Sequence, residues 1–250
     1  MNYKDFFWLH IKKSAGVTTR KLLQPYYKQV DKKNRPKTFI QANSDEYNDI
    51  LNNFRVVLGD YQFKRSLFAK KFLYKDKWTS IYSFAFSREP IDRCISMFYY
   101  LYYQKRGFFG SILNAFNNIK SQKKIGLSIS YDFDLFLDLI EAAHFNSDSN
   151  YKPLGIAFST HTAPMFNDIT DYEGNIILTS IYRLENLHMA IEEVFRLCGL
   201  EYQNSDSNIF DNKNSKRGVF YPNLLQIKKI ERLYKEDFEL YEKAGDSFKK

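Results

Sequence analysis

FFWLHIKKSAGVTTRKLL, residues Phe6 to Leu23, changes character twice along its length. Phe6 to Ile11 is an apolar run of the kind that forms a buried strand. A short turn follows, carrying Lys12, Lys13, Ser14, Ala15, Gly16, Val17, Thr18 and Thr19. Helical spacing then begins, with Val17, Leu22 and Leu23 as inward positions. A strand, a turn of small residues with lysine and hydroxyls, and a helix together make a phosphate cradle. The first N–H groups of the helix face the anion, the helix dipole adds partial positive charge, and a lysine adds a full one. The Walker arrangement is absent, because the lysines precede Gly16 instead of following a second glycine. The competing reading of the same turn is a solvated lysine pair between an ordinary strand and helix.

Outward from this stretch, further strands are predicted at Val56-Val57-Leu58, ended by Gly59-Asp60, at Ile81 to Phe86, and at Ile176 to Ile181. Helices are predicted around Asp45 to Phe54 and Ser66 to Leu73, and from Pro90 to about Tyr103, where proline suits the first turn. Others fall at Asp132 to Ala143, at Leu187 to Leu197 with Gly199 as the stop, and as one long helix from Leu224 to Tyr241. Gly107 to Gly126, Asn146 to Asn150 and Gln203 to Gly218 read as polar connections. No repeat and no domain boundary stand out. The expectation is one α/β domain over residues 1–250, with a central, mainly parallel sheet flanked by helices. Ligands of such sheets sit beyond the carboxyl ends of the strands, which gathers the turns after Ile11, at Gly59-Asp60 and at Arg88 along one edge.

The chain has 250 residues, of which 44% are hydrophobic and 18% aromatic, with Phe (23) and Tyr (19) dominant, so the core must be largely aromatic. A formal net charge of +8 favours an anionic partner. The excess is spread along the sequence, and no nucleic-acid motif appears, so nucleic acid is not an expected partner. Cys94 and Cys198 are far apart within helical segments, which fits core packing and not a disulfide framework. His10 ends the first strand and is expected to pack under the loop, while His144 and His188 read as exposed helix positions. Four histidines without ligand spacing give no metal site. There is no secretory signal pattern and no apolar run long enough to span a bilayer, so the expectation is a soluble, cytoplasmic protein without stable membrane insertion.

A second constellation is FAFSREPIDRCISMFYY, Phe84 to Tyr100. Arg88 stands at the mouth of a strand and Ser96 two helical turns further on. A guanidinium fork and a hydroxyl there can grip a phosphate, although Arg88 can equally pair with Glu89 or Asp92. Taken together, the two constellations resemble a family. HIKKSAGVT is similar to the 5′-phosphosulfate loop, roughly HIPKTAGTS, of carbohydrate sulfotransferases related to the heparan 2-O- and chondroitin 4-O-enzymes. FSREPIDRCIS resembles their 3′-phosphate motif. Val57 to Tyr61 occupies the slot of their Gly-His and aromatic segment, Tyr182 to Leu187 resembles a late RLENL segment, and Tyr234 to Tyr241 their closing helix.

The resemblance implies a fold like that of nucleotide kinases. It also implies metal-free transfer of a sulfuryl group from 3′-phosphoadenosine 5′-phosphosulfate (PAPS) to a hydroxyl, usually of a saccharide or glycan. On that pattern Lys13 neutralises the leaving phosphate, and Ser14, Gly16, Val17 and Thr18 supply N–H or hydroxyl donors. Arg88 and Ser96 hold the 3′-phosphate, Arg93 is a weaker candidate better read as a surface or helix-pairing residue, and Arg217-Gly218 can close over the cofactor. Asp60 stands where relatives carry the catalytic histidine. It can act as base if burial raises its pKa, and His161 is the alternative. Lys12 stands in place of the usual proline and Val17 in place of a threonine. Two further readings stay open: an inert module that binds an anionic glycan or nucleotide, and a phosphoryl-transfer enzyme with a nonstandard loop. The sequence is silent on oligomeric state.

Overall fold

The computed structural model describes residues 3, 5–31, 33, 36, 38–54, 56–103, 129–144, 155–202, 220–244 and 248–249. Three strands make a parallel sheet: β1 (Asp5–Leu9), β2 (Ile81–Ser87) and β3 (Ser180–Arg183), with a short β4 (Phe248–Lys249) antiparallel to β3. Leu9 pairs with Ala85, and Ser87 with Arg183, so β1 and β2 deliver their chains to one edge. The helices are α1 (Gly16–Leu23), α2 (Tyr47–Asn53), α3 (Arg65–Phe68), α4 (Pro90–Phe98), α5 (Ile129–His144), α6 (Gly155–Thr162), α7 (Met165–Ile169), α8 (Leu187–Leu197), α9 (Leu224–Leu233) and α10 (Lys235–Lys243). A parallel sheet between helices is the α/β architecture expected.

Contacts divide the chain into two compact units: residues 1–88, 165–213 and 240–250, and residues 89–164 and 214–239. The first unit holds the sheet. Side chains of a strand alternate between faces. Phe7 and Leu9 therefore join one core with Leu51, Trp78, Ala85, Ile181 and Leu240, while Phe6 and Trp8 join another with Phe84, Tyr182, Ile191 and Phe195. Burial on both faces makes the near-continuous apolar runs legible as strands. The second unit is helical in its described residues, and its core is built on Phe98, Phe133, Phe136, Phe158 and Tyr234. Each such ring is worth about 1.5–3 kcal/mol of transfer free energy when fully buried.

Three expectations are corrected. Val56-Val57-Leu58 is not a strand: Val57 is 82% exposed, Leu58 is buried in the core and Val56 packs partly buried against it. Three apolar residues are short for a strand, and the neighbouring Gly59 turns at φ 58°. β3 begins at Ser180 and not at Ile176, because Ile176 instead bridges Thr170 across a turn whose N–H groups at Glu173 and Asn175 donate to the Asp171 carboxylate. The long C-terminal helix is two, α9 and α10, broken at Tyr234. That ring is buried, and its hydroxyl donates to the Thr162 carbonyl at 2.7 Å, a position a straight helix need not supply. The predicted helix after Ser66 continues from α3 as wider turns through Ala69–Tyr74.

Candidate functional site

The turn between β1 and α1 is bent by two residues that are not glycine: Lys13 at φ 69° and Ala15 at φ 51°. The left-handed region costs an L-residue about 1–2 kcal/mol, and such conformations cluster where a loop must hold a special shape. Ser14 N–H donates to the Ile11 carbonyl at 3.2 Å and closes the turn. Ala15 offers no side chain to cap α1, so the first N–H groups of that helix, from Gly16 onward, have no acceptor within the helix. Ser14 Oγ is buried, with the residue 2% exposed, and is a side-chain oxygen without a hydrogen-bond partner among the described residues. A buried hydroxyl left unsatisfied costs about 1–3 kcal/mol. Thr18 is buried one turn into the helix, whereas Val17 is 59% exposed and not an inward position.

Beneath the turn lies a polar floor. β1 is an edge strand, and Asn52 of α2 covers its end as a strand partner would: the Asn52 carboxamide accepts from His10 N–H at 2.7 Å and donates to the Trp8 carbonyl. Arg65 of α3 donates to the His10 carbonyl at 3.1 Å and pairs with Asp168 of α7 at 2.6 Å. The His10 ring stacks on Trp8 at 5.1 Å and fills the space beside Gly16, where a Cβ would stand 1.7 Å from His10 Nε2. His10 therefore packs under the loop as expected, and only glycine fits at the start of α1. Lys12 turns inward: its Nζ donates to the Asn52 carbonyl at 2.5 Å and stands 3.5 Å from His10 Nδ1. Burial, and after it the Arg65 guanidinium, push the Lys12 ammonium down to about 7, with Asp168 opposing. Lys12 is thus no solvated turn lysine.

Arg88, immediately after β2, is half-buried and donates through Nη1 to the Lys13 carbonyl at 3.2 Å. The structure thereby ties the turn after β1 to the end of β2. Glu89 is engaged elsewhere, its carboxylate capping α4 by accepting from the N–H groups of Ile91 and Asp92. Ser96 is half-buried on α4. Asp60 is exposed in a short turn, Gly59–Tyr61, and its carbonyl accepts from the Tyr172 hydroxyl at 3.4 Å. His161 sits near the end of α6. Its Nδ1 donates to the Ala157 carbonyl at 2.7 Å, and the ring stacks on Tyr100 at 5.1 Å. A carbonyl can only accept, so the neutral ring carries its proton on Nδ1 and its lone pair on Nε2. Arg93 is buried, not a surface residue: it pairs with Asp237 at 3.4 Å and donates to the His161 and Ala163 carbonyls. His144 is half-buried and not exposed. Its Nε2 bonds Thr162 Oγ1 at 2.8 Å, and burial, then Arg93, push it down to about 4. Arg217 and Gly218 lie outside the described residues.

A family model described as the sulfotransferase family matches residues 2–244. The chain belongs to the sulfotransferase family. Comparisons with curated proteins and with solved structures gave no match. Family membership makes the protein a transferase whose general activity is sulfuryl transfer. Among the described residues no helix is long and apolar enough to cross a membrane, and no cluster of His, Cys, Asp or Glu is gathered as a metal site.

Sequence reasoning about this sulfotransferase missed the floor of the loop: Asn52, Arg65 and Asp168. One signal was available. Asn48 and Asn52 are spaced four apart in a predicted helix, where asparagine is unfavourable unless its amide is used, and both prove buried. Arg65 and Asp168 meet across a long stretch of chain, and nothing local marks them.

Proposed function

We propose that this sulfotransferase moves a sulfuryl group from PAPS to a hydroxyl of a saccharide or glycan acceptor, without a metal. The observation that carries the reading is the orphaned, buried Ser14 Oγ in a turn that also carries Lys13 and an uncapped helix start. A phosphosulfate has the oxygens such a turn lacks. In the reaction the acceptor oxygen forms a bond to sulfur as the bond between sulfur and the bridging oxygen breaks. The electron pair leaves on the 5′-phosphate, and the acceptor proton goes to a base. Lys13, with Ser14 and the N–H groups of Gly16, Val17 and Thr18, supports the charge that develops on the bridging oxygen. Arg88 and Ser96 take the 3′-phosphate by the motif they share with the family, and Arg217-Gly218 keep their expected closing role. For the base, His161 has a stated advantage over Asp60: its hydrogen bond to Ala157 fixes a lone pair on Nε2, whereas the exposed Asp60 carboxylate lacks the burial that makes a strong carboxylate base.

Calorimetry tests the donor side. 3′-Phosphoadenosine 5′-phosphate should bind without added metal, and more tightly than 5′-AMP. Equal affinity for the two would remove the 3′-phosphate site. A screen of saccharides with labelled PAPS then tests transfer, and donor binding with no turnover on any of them would leave the inert binding module as the better description.

A further inference from the structure

Lys12 is a residue the donor chemistry above does not use, yet it is placed with more partners than a turn lysine needs. Its Nζ, the Asn52 carbonyl and His10 Nδ1 form a triangle, with separations of 2.5 Å, 3.5 Å and 3.3 Å. His10 is equally constrained: its N–H and carbonyl are held by Asn52 and Arg65, its ring stacks on Trp8, and its Nε2 lies against Gly16, the first residue of α1. With the ring held in this way, the character of the edge it turns to Gly16 follows where its proton sits. A neutral imidazole carries one N–H, and the partner of one nitrogen decides the character of the other.

We propose that Lys12 is a positioning residue for the phosphate loop, whose ammonium donates to His10 Nδ1 and so places the imidazole proton on Nε2, facing the start of α1. This rests on the sulfotransferase reading of that loop. With Lys12 charged, Nε2–H is one more donor beside the helix N–H groups, suited to an anion. When Lys12 loses its proton, the amine accepts from Nδ1–H, or Nδ1–H donates to the Asn52 carbonyl. Nε2 then turns a lone pair toward Gly16 and repels the anion.

Among the described residues, charged and titratable groups act on Lys12 from several elements. Arg65 from α3 opposes its charge, Asp168 from α7 supports it, α2 presents the neutral Asn52, and His10 lies on its own strand end. Together with burial these bring the Lys12 ammonium down to about 7. The sign follows. An anion in the loop favours Nε2–H and hence charged Lys12, so binding takes up a proton and weakens as pH rises through about 7.

Two measurements decide it, and the first needs no nucleotide. Nitrogen-15 imidazole shifts of the full chain should show His10 changing from Nε2–H to Nδ1–H as pH rises through the Lys12 midpoint, itself read from its side-chain carbon-13 shift. Lys12→Arg, which stays charged, should hold His10 as Nε2–H throughout. In the second, the affinity of wild type for 3′-phosphoadenosine 5′-phosphate should fall about three- to tenfold between pH 6 and 8.5 relative to Lys12→Arg, which cancels the titration of the phosphate itself. Lys12→Met should lack this dependence and show His10 as Nδ1–H at every pH. A His10 tautomer that ignores Lys12, or parallel affinity profiles for wild type and Lys12→Arg, would overturn the proposal. Loss of nucleotide binding in all forms, with the tautomer change intact, would instead overturn the donor assignment.

Discussion

Arg65 and Arg93 are both buried, each has an aspartate partner, and each donates to the carbonyl of a histidine, His10 in the first unit and His161 in the second. The resemblance ends in how the donors are spent. Arg65 meets Asp168 at 2.6 Å, and the same carboxylate also accepts from the Arg65 N–H. Arg93 stands 3.4 Å from Asp237 and spends one nitrogen on two carbonyls, with the Tyr234 ring beside it at 5.8 Å. Among the described residues, the first arginine has a close carboxylate, and the second has a more distant carboxylate and two backbone carbonyls. The two histidines differ accordingly. Both rings are stacked and both carbonyls are held, but His10 Nδ1 is shared between Lys12 and the Asn52 carbonyl, while His161 Nδ1 is committed to Ala157 and its lone pair lies on Nε2. A ring shared in this way suits a donor to a loop, and one with a directed lone pair suits proton transfer.

The sharpest way to break this comparison is at the base. His161→Ala should lower turnover by about a hundred- to ten-thousandfold with donor affinity nearly intact, the usual worth of general base catalysis, while Asp60→Asn changes it only a few-fold. The reverse pattern would move the base to Asp60 and leave His161 a helix residue. Next comes stability. Asp168→Ala strands a buried guanidinium and should cost about 3–5 kcal/mol in urea unfolding. Asp237→Ala should cost clearly less, about 1–3 kcal/mol, because Arg93 keeps its carbonyls. Equal losses would erase the distinction between the two arginines.

Titration separates the units further. His144 is held neutral in the folded second unit, with its pKa lowered from 6.5 to about 4. The unfolded chain binds the proton first, so the stability this provides is complete above about 6.5 and is lost as pH falls toward 4. The loss should be on the order of 2–3 kcal/mol, and His144→Gln should flatten that part of the stability profile. The smallest change concerns the space at the start of α1. Gly16→Ala puts a methyl into the His10 ring, which is too tightly held to move aside. Overpacking of this kind costs about 1–3 kcal/mol and should appear as weaker binding of 3′-phosphoadenosine 5′-phosphate. Unchanged stability and affinity in Gly16→Ala would show that the ring is freer than its contacts indicate.

The strands β1 and β2, the turn between β1 and α1, and the helices α4, α5 and α8 were legible because their signals are local: apolar runs buried on both faces, a proline at a helix start, a glycine at a helix end. The Val56 to Leu58 strand failed because an apolar run says nothing of whether a neighbouring strand is there to pair with it. The break at Tyr234 was hidden because period alone does not reveal that a ring must turn inward. For the site, sequence placed Lys13, Ser14 and Gly16 in one turn, since they are adjacent in the chain. It also set Arg88 at the end of the neighbouring strand, and the structure ties that residue to the Lys13 carbonyl. What lies under the turn was decided only by tertiary structure. Asn52, Arg65 and Asp168 come from three separate segments, and the burial that makes Lys12 unusual exists only once they close around it. A lysine's charge is written in the sequence, but its proton affinity is a property of its surroundings, and those are assembled by folding.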